Sequence, residues 1–538
     1  MAVSRTIPTS QIPDVVTFTI LSDGVELPES VSVKHFIIQR AVNKIPFAKI
    51  YISDGDPSLE DFPVSNEEYF VPGKEIEIRL GYRSDNSSLF RGLVINHSNR
   101  ISKHGAELII ECRDEAVKLT VGKKSRHFED VSDGDAAEEL IDNYGLEKEI
   151  ESTSIRHKEL IQYNTTDWDF ILSRIDIIGM ICLVEDGKII IKKPDLTTSP
   201  VIELLFGATI LDFTAEIDAR TQYNEVRSLS WDYSDQEVIE DTGDEPDMEE
   251  IGNLSNSDLA EVVGLESYDM INSGKLSNEE LKEYANSKML KSRLSKVRGK
   301  VRFQGFPDVK PGDIISLNGV GERFNGPVFA SSVRHEFAKG NWTTEVIFGM
   351  SENWFTENIN PNDVTSKNGR LPSVQGLETG IVTDLEDPEG ENRVKVKLPV
   401  VSNSDDGIWM RIATLDAGKN RGTFFLPEID DEVIVGFISN DPNHPVILGM
   451  LHSSAKPAPF SASNSNDEKG YVSRAETKMV FDDGRKTLTI EDANGNTIKF
   501  ESGGITLEST TVLNLKAASI KIEASGPAEI KGAVVKIN

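Results

Sequence analysis

The sequence contains few cysteines and no long apolar run. Only Cys112 and Cys182 occur in 538 residues, each inside an apolar, strand-like run, so we expect buried reduced thiols rather than a disulfide or a metal site. No stretch approaches the roughly eighteen apolar residues that a membrane-spanning helix needs. The N-terminus also lacks the apolar segment of a signal peptide. We therefore expect a protein that is made and kept soluble.

Basic residues are also scarce relative to acidic ones. The chain has 57 Lys and Arg against 89 Asp and Glu, for a net charge of −32. Such a surface repels a phosphate backbone, so nucleic acid is not expected as a partner. The length exceeds what one hydrophobic core serves, and several domains are expected.

The C-terminal segment 476–538 repeats a short apolar-x-apolar unit. The six pairs are Leu488/Ile490, Ile498/Phe500, Ile505/Leu507, Leu513/Leu515, Ile520/Ile522 and Val535/Ile537. A polar or charged residue lies between the two members of each pair. Because side chains alternate along a strand, this pattern predicts short strands with one apolar and one polar face.

The pairs mostly recur every seven to ten residues, whereas a single-chain β-helix needs about twenty residues per coil. Three copies of the chain could instead close a narrow prism with the apolar pairs on its axis and the charges outside, since a charge inside would meet two copies of itself. We predict an intertwined homotrimeric β-helix or prism. Its predicted core is Leu488, Ile490, Ile498, Phe500, Ile505, Leu507, Leu513, Leu515, Ile520 and Ile522. An antiparallel meander packed on a neighbouring domain is the alternative.

The rest of the chain predicts a β-rich fold with helical insertions. Residues 15–126 alternate or run apolar between turn residues, as expected for a barrel or sandwich. Helices are predicted from Asp133, capped by Asp133-Gly134-Asp135, from the capping sequence Thr165-Thr166-Asp167 to Gly179, and over 278–297. The acidic stretch 234–258 lacks the ligand spacing of a calcium loop and predicts a solvated loop.

Three blocks carry a resemblance to a known family. Residues 163–174 followed by Ile178-Gly179-Met180, and the series Pro311-Gly312-Asp313, Phe324-Asn325-Gly326 and Val333-Arg334-His335, resemble the hub domain of VgrG-type spike proteins and phage tail hub proteins. Residues 380–384, 392–399, 409–413, 423–437 and 440–449 resemble the oligonucleotide/oligosaccharide-binding (OB) barrel of these proteins and of phage tail spikes. We interpret His335 as structural, because the sequence offers it no nearby catalytic partner.

The resemblance implies a mainly β fold of several domains. A hub of two tail-hub-like β-barrels with helical insertions is expected at 1–359, followed by a linker at 360–376. An OB-fold barrel is expected at 377–455, a second linker at 456–475 and the trimeric needle at 476–538.

The resemblance also implies a function: a homotrimeric spike and hub at the tip of a contractile injection tube. Such a protein adapts a threefold spike to a hexameric inner tube protein, contacts baseplate proteins and pierces the target membrane transiently. It would be made in the bacterial cytoplasm and ejected or released with the injection particle. Type VI secretion systems, extracellular particles and tailocins all remain open, as does the cargo.

The implied tip partner is a PAAR-like cap protein. Its expected seat is Val535, Lys536, Ile537 and Asn538. We expect no catalytic residue, since the gap at 453–478 is too short for a lysozyme domain. We also expect no cofactor and no metal: iron-bearing phage needles end in a His-x-His ligand set, and none follows His452. The alternative is a phage-like tail spike with adhesin or polysaccharide-degrading activity. Its candidate carboxylates, Asp482 and Asp483, are adjacent in sequence and so face opposite ways.

Overall fold

In the computed structural model the described residues are 15–355, 374–399, 401 and 407–536, except residues 59, 104 and 273. They belong to two compact units, Met1–Met450 and Leu451–Asn538. Strands dominate the regular structure, and five of them close into a barrel. The prediction of a mainly β fold is confirmed.

The first part of unit one consists of seven strands around a single core. They are β1 (Val16–Ser22), β2 (Val25–Glu26), β3 (Val33–Ala41), β4 (Lys44–Ser53), β5 (Glu75–Tyr82), β6 (Asp85–Ser102) and β7 (Gly105–Arg113). In β4, Ala48, Ile50 and Ile52 are buried while Lys49 and Tyr51 alternate with them on the other face. This period of two is what a half-buried strand requires.

A mixed segment with two helices follows. Its elements are β8 (Lys124–Ser132), α1 (Asp133–Asp142), β9 (Glu147–Ile150), β10 (Arg156–Thr165), α2 (Asp167–Ile177), β11 (Ile181–Glu185) and β12 (Lys188–Lys192). The cap of α1 is Ser132 rather than Asp133, because the Ser132 hydroxyl accepts from the Asp135 N–H at 3.1 Å. The Thr166 hydroxyl caps α2 in the same way, at 3.0 Å from the Asp169 nitrogen. Just after α2, Gly179 takes a φ of +71°, a conformation that glycine tolerates and most residues do not.

We use the name hub for the described residues 15–355, and the last part of this segment returns to strands. Its elements are β13 (Ile202–Leu205), β14 (Ile210–Ile217), β15 (Val226–Asp232), β16 (Glu237–Thr242), α3 (Asn256–Val263), β17 (Tyr268–Ile271), α4 (Asn278–Ser295), β18 (Val297–Gln304), β19 (Ile314–Asn318), β20 (Gly326–Ala338) and β21 (Asn341–Phe348). A solvated loop was predicted at 234–258. This prediction is wrong for Glu237–Thr242, which form strand β16 and pair antiparallel with β15. Glu245 lies in an exposed loop, as predicted, and its carboxylate binds the Arg293 guanidinium at 2.6 and 2.7 Å.

One sheet joins the two ends of the hub. Its main strand order is β14-β18-β21-β20-β3-β4-β7-β6-β5-β1-β2, with β13 and β19 attached at β20. The link between the halves is the antiparallel pairing of β3 with β20, and each half has its own buried core. This strand order does not close, so the two hub barrels remain a prediction.

The barrel consists of β22 (Glu378–Asp384), β23 (Val394–Lys397), β24 (Ile408–Ile412), β27 (Glu432–Phe437) and β28 (Pro445–Met450), with a hairpin of β25 (Ala417–Gly418) and β26 (Arg421–Gly422) between β24 and β27. It closes in the order β22-β23-β24-β28-β27. Small aliphatic residues such as Val382, Val396 and Val435 fill its interior. Of the linker predicted at 360–376, only 374–376 belong to the described residues.

Unit two contains an antiparallel meander of five strands: β29 (Glu468–Val472), β30 (Lys478–Asp482), β31 (Thr487–Glu491), β32 (Thr497–Glu501) and β33 (Gly504–Glu508). A linker was predicted at 456–475, but strand β29 lies inside this segment. Its residues Tyr471 and Val472 pair with Met479 and Lys478 of β30. An antiparallel meander is the arrangement that the sequence allowed as the alternative to the trimeric prism. The trimeric prism remains a prediction.

The strands predicted at Leu513/Leu515 and Ile520/Ile522 are absent from the single chain, whose described residues 509–536 contain no strand. The physical reason is that a strand needs a neighbour for its backbone N–H and C=O groups. The predicted pair Val535/Ile537 extends beyond the described part of the chain, since residues 537 and 538 lie outside it.

Two further expectations concern buried side chains. Cys112 and Cys182 are buried free thiols, as predicted, and burial raises the pKa of both. His335 is buried with its Nδ1 3.1 Å from the Thr344 hydroxyl, and burial lowers its pKa to about 3. These contacts fit a structural histidine. Among the described residues, the helices are all too short or too polar to cross a membrane.

Candidate functional site

The candidate site is one face of the C-terminal sheet, which we call the apolar face. Cross-strand register places Phe481, Leu488, Phe500 and Ile505 side by side in one row across β30 to β33. A second row holds Tyr471, Met479, Ile490, Ile498 and Leu507. Residues paired across antiparallel strands share a face, so nine apolar side chains lie together.

The apolar face is uncovered in the single chain. Leu488 and Ile490 are half-buried, but the other seven members are exposed, from 37% at Met479 and Ile498 to 67% at Ile505. Monomeric proteins rarely expose so large a contiguous apolar surface unless something binds it. The arrangement can therefore bury apolar area against a partner.

The opposite face of the same sheet is polar. Val480, Thr489, Lys499 and Thr506 form one row across β30 to β33. Lys478 pairs with Glu491 at 3.1 Å, and Lys499 with Glu501 at 2.7 Å. Across β30 to β33 these charges lie on the face opposite the apolar residues, as the sequence pattern predicted, whereas in β29 Lys469 is opposite Phe481 and shares its face.

A tight turn fixes the register between β31 and β32. The Asp492 carboxylate accepts from the backbone N–H groups of Asn494 and Asn496, both at 2.9 Å. Its hydrogen bonds, chiefly from the Asn496 side chain, lower the pKa of Asp492 to about 2. Because a one-residue slip would move every side chain to the other face, this turn helps to keep Ile498 and Phe500 on the apolar face.

The structure brings six of the ten predicted needle residues together on the apolar face: Leu488, Ile490, Ile498, Phe500, Ile505 and Leu507. The remaining four, Leu513, Leu515, Ile520 and Ile522, are exposed and lie beyond the last strand. Tyr471, Met479 and Phe481 also lie on this face but are not among the predicted needle residues. The pair Met479/Phe481 has the same spacing as the other pairs, but Val480 between them is apolar.

The predicted tip contact lies only partly within the described residues. Val535 is half-exposed and Lys536 is exposed, whereas Ile537 and Asn538 lie outside that part of the chain. The nearby charges pair locally, as Lys531 does with Glu529 at 2.7 Å.

The two candidate glycosidase carboxylates are held by separate cations. Asp482 accepts from the Arg485 backbone N–H at 2.8 Å and lies 3.5 Å from the Arg485 guanidinium. Asp483 forms an ion pair with Lys469 at 2.5 Å. This arrangement does not resemble the facing pair of carboxyl groups that glycoside hydrolysis uses.

A second functional region is the junction between hub and barrel within unit one. Ile161 of β10 is buried in the barrel core, and its N–H donates to the Asn443 side-chain oxygen at 3.0 Å. The Tyr163 hydroxyl donates to Glu378 of the barrel at 2.7 Å. Burial, together with this bond, raises the pKa of Tyr163 to about 12. Strand β10 thus pairs with β8 in a two-stranded ribbon and also contributes Ile161 to the barrel core.

A buried ionic group lies in the hub close to the same strand. The Arg174 Nε atom of α2 donates to Asp133 at 2.6 Å, with both side chains nearly inaccessible. His157 of β10 lies 3.1 Å from the Asp133 carboxylate and 3.0 Å from the Arg174 guanidinium. Burial favours the protonated form of Asp133, but Arg174 and His157 outweigh it and hold its pKa below the usual range. Arg174 is the arginine of the block at 163–174, and its role here is structural.

Two family models match the chain. The model of the Alg8 N-terminal domain matches residues 12–339, which is more than half of the chain. The model of the type VI secretion system/phage-baseplate injector OB domain matches residues 378–452, which includes all strands of the barrel.

Curated proteins and solved structures of type VI spike proteins are also similar to the chain. The type VI secretion system spike protein VgrG1c of Pseudomonas aeruginosa is 33% identical over 116 residues, which are 20% of this chain and 16% of that relative. The VgrG of a Francisella PdpA–VgrG complex has a TM-score of 0.55 at 10% identity, over 92% of this chain and 80% of that one. The Escherichia coli c3393 protein, a type VI component described as similar to the T4 tail proteins gp27 and gp5, has a TM-score of 0.51 at 13% identity, over 80% and 99%. The two structural likenesses concern the fold alone.

Proposed function

The chain belongs to the family of the Alg8 N-terminal domain and is related to VgrG-type spike proteins, and on this premise we propose that it is the homotrimeric spike and hub at the tip of a contractile injection tube. The observation that carries the proposal is the uncovered apolar face of the C-terminal sheet. In this role the chain transmits force and does no chemistry.

The partner of the apolar face is two further copies of the chain. Fully burying an aliphatic or aromatic side chain contributes about 1.5–3 kcal/mol, and seven exposed side chains per chain are available on this face. Three such sheets, each turning its apolar face inward and its charged face outward, enclose a three-sided prism. The apolar pairs at 513–522 continue the same pattern and would gain strand partners from the other two chains.

The oligomeric state tests this proposal directly. Native mass spectrometry or light scattering of the purified chain at micromolar concentration should give a mass of three copies. A stable monomer would refute the trimer. A stable dimer would assign the apolar face to a two-sheet sandwich instead.

The hub adapts this threefold spike to a hexameric inner tube protein. Each chain contributes two strand sets with separate cores, joined by β3 and β20. Three chains therefore present six strand sets, which matches a sixfold ring. Electron microscopy of the spike mixed with its tube protein should show a single spike closing one end of the tube. Spikes that never associate with tube ends would contradict this role.

The tip carries a small cap protein of the PAAR-like kind. Val534 and Val535 are exposed apolar side chains, and neighbouring exposed apolar residues suit a docking surface. We assign the seat to Val535, Lys536, Ile537 and Asn538. Deleting these four residues should abolish cap binding in a pull-down and leave the trimer intact, whereas Lys531→Ala, which alters a charge below the tip, should retain the cap. Undiminished binding by the truncated chain would place the seat elsewhere.

The remaining contacts follow from this role. The spike would meet baseplate proteins around the hub and the target membrane during injection, and it would reach that membrane as part of the assembled particle. A tail spike with polysaccharide-degrading activity is the alternative, and it predicts new reducing ends when the purified chain is incubated with surface polysaccharide. We expect none, because Asp482 and Asp483 are held by separate cations.

A further inference from the structure

Three potential metal ligands meet on the two-stranded ribbon of β8 and β10. One ligand atom each from His127, Glu129 and Glu159 lies within 4.8 Å of the others. Glu129 and Glu159 are directly opposite in the strand register, and His127 is opposite Ile161. All three side chains therefore lie on the same face of the ribbon.

The environment of this cluster favours a bound cation. Like charges directly opposite on paired strands destabilise a sheet, and Glu129 and Glu159 are such a pair. The side chain of His127 is only 2% exposed and that of Glu159 is 22% exposed. The His127 Nε2 atom already contacts the Glu159 carboxylate. A divalent ion would neutralise both carboxylates and would bind the imidazole nitrogen directly.

We propose that His127, Glu129 and Glu159 form a binding site for a divalent transition-metal ion such as Zn²⁺. One imidazole and two carboxylates are ligands that Zn²⁺ accepts at about 2.0–2.2 Å. The ligand atoms of a tetrahedral ion with such bonds are about 3.4 Å apart, and the three ligand atoms here already lie within 4.8 Å of one another. Water would fill the remaining coordination positions.

The location suggests what the ion does. Glu159 shares its face of β10 with Ile161 and Tyr163, the residues that enter the barrel core. The ion would therefore clamp β8 to β10 at the place where the hub holds the barrel. Its role is structural reinforcement of the junction, independent of how many chains assemble.

Isothermal titration of the full-length metal-free chain with ZnCl₂ alone tests the site, and X-ray absorption can identify the ligands. We expect one Zn²⁺ per chain, coordinated by nitrogen and oxygen. His127→Ala and Glu129→Gln should each weaken binding about 100-fold or more, since even the loss of a residue that only supports a ligand costs 10–100-fold. Glu129 is exposed and its change to Gln conserves size, so this variant should fold normally by circular dichroism.

Two control variants remove a carboxylate and an imidazole that lie outside the proposed metal site. Glu149→Gln takes away a carboxylate that pairs with Lys188 at 2.6 Å, and His35→Ala takes away an imidazole that stacks on Tyr51. Both should bind Zn²⁺ as the wild type does. No stoichiometric binding by the wild type would overturn the proposal. So would equal binding by Glu129→Gln, or equal loss in Glu149→Gln.

Discussion

Replacing Phe500 with Asp should dissociate the proposed trimer while leaving the hub folded. Phe500 lies in the middle of the apolar face, between Leu488 of β31 and Ile505 of β33. It is 40% exposed in the single chain, and this remaining surface is what association would bury. The substitution removes that surface and introduces one carboxylate per chain into the proposed interior.

The magnitude follows from the exposed fraction. A phenylalanine buries about 150–250 Å² in all, so 40% of it corresponds to about 60–100 Å². At about 25 cal/mol per Å² the loss is about 1.5–2.5 kcal/mol per chain, or about 5–7 kcal/mol for three. Each 1.4 kcal/mol is a factor of ten in an equilibrium constant, so association should weaken at least about a thousandfold. Three carboxylates close together in a dry core add several kcal/mol each.

Lys499→Asp is the matched control. Lys499 neighbours Phe500 on β32 but lies on the polar face, and its replacement changes the charge of the chain by two units rather than one. Light scattering at micromolar concentration should show monomers for Phe500→Asp and trimers for Lys499→Asp, with the same hub unfolding midpoint in both. If Phe500→Asp stays trimeric, the apolar face does not line the trimer. If both variants dissociate, charge alone explains the effect.

Three further outcomes are expected. Ile520→Asp should also abolish the proposed trimer. Residues 513–522 should then be unprotected in hydrogen exchange, because that segment forms no strand by itself. Hydrogen-exchange protection equal to that of the wild type would mean that Ile520 does not point inward. Arg174→Met should destabilise the hub by about 3–5 kcal/mol in urea, since it leaves the buried Asp133 charge without its guanidinium partner. Arg220→Met removes an exposed arginine that pairs with Asp218 and should cost at most about 1 kcal/mol; similar costs would refute the reasoning. Burial lowers the pKa of His335 from 6.5 to about 3, so the folded protein loses stability as the pH falls from 6.5 towards 3. In this window the free energy of unfolding of the wild type should fall by about 1.4 kcal/mol per pH unit more than that of His335→Gln. Parallel pH profiles of the two proteins would show that His335 is not buried in its neutral form.

Local signals in the sequence predicted the elements that depend on local physics. The start of α2 at Thr166 and its end before Gly179 follow from a hydroxyl cap and a left-handed glycine, both visible within a few residues. The five barrel strands could likewise be predicted from the alternation of apolar and polar residues and from the Gly and Asp residues of the turns between them. These features need no knowledge of which segments meet in space.

Features that depend on pairing could not be predicted in this way. Strand β16 is acidic and resembled a solvated loop, but its Val238 pairs with Trp231 of β15. Met479 and Phe481 were not predicted to lie on the apolar face, because the residue between them, Val480, is also apolar. His127 and Glu159 are 32 residues apart, and only the register of β8 and β10 brings them together.

The C-terminal unit illustrates how a single chain can encode strands that it does not form alone. Up to β33 each strand has a neighbour in its own chain, so its backbone groups are paired and its register is set by turns such as that at Asp492. Beyond Glu508 the alternation of apolar and polar residues continues, but the described residues have no strand partner within the chain. Forming a strand there costs conformational entropy that only backbone pairing and apolar burial can offset. Since both would come from other copies of the chain, folding of 509–536 and association should be one event rather than two.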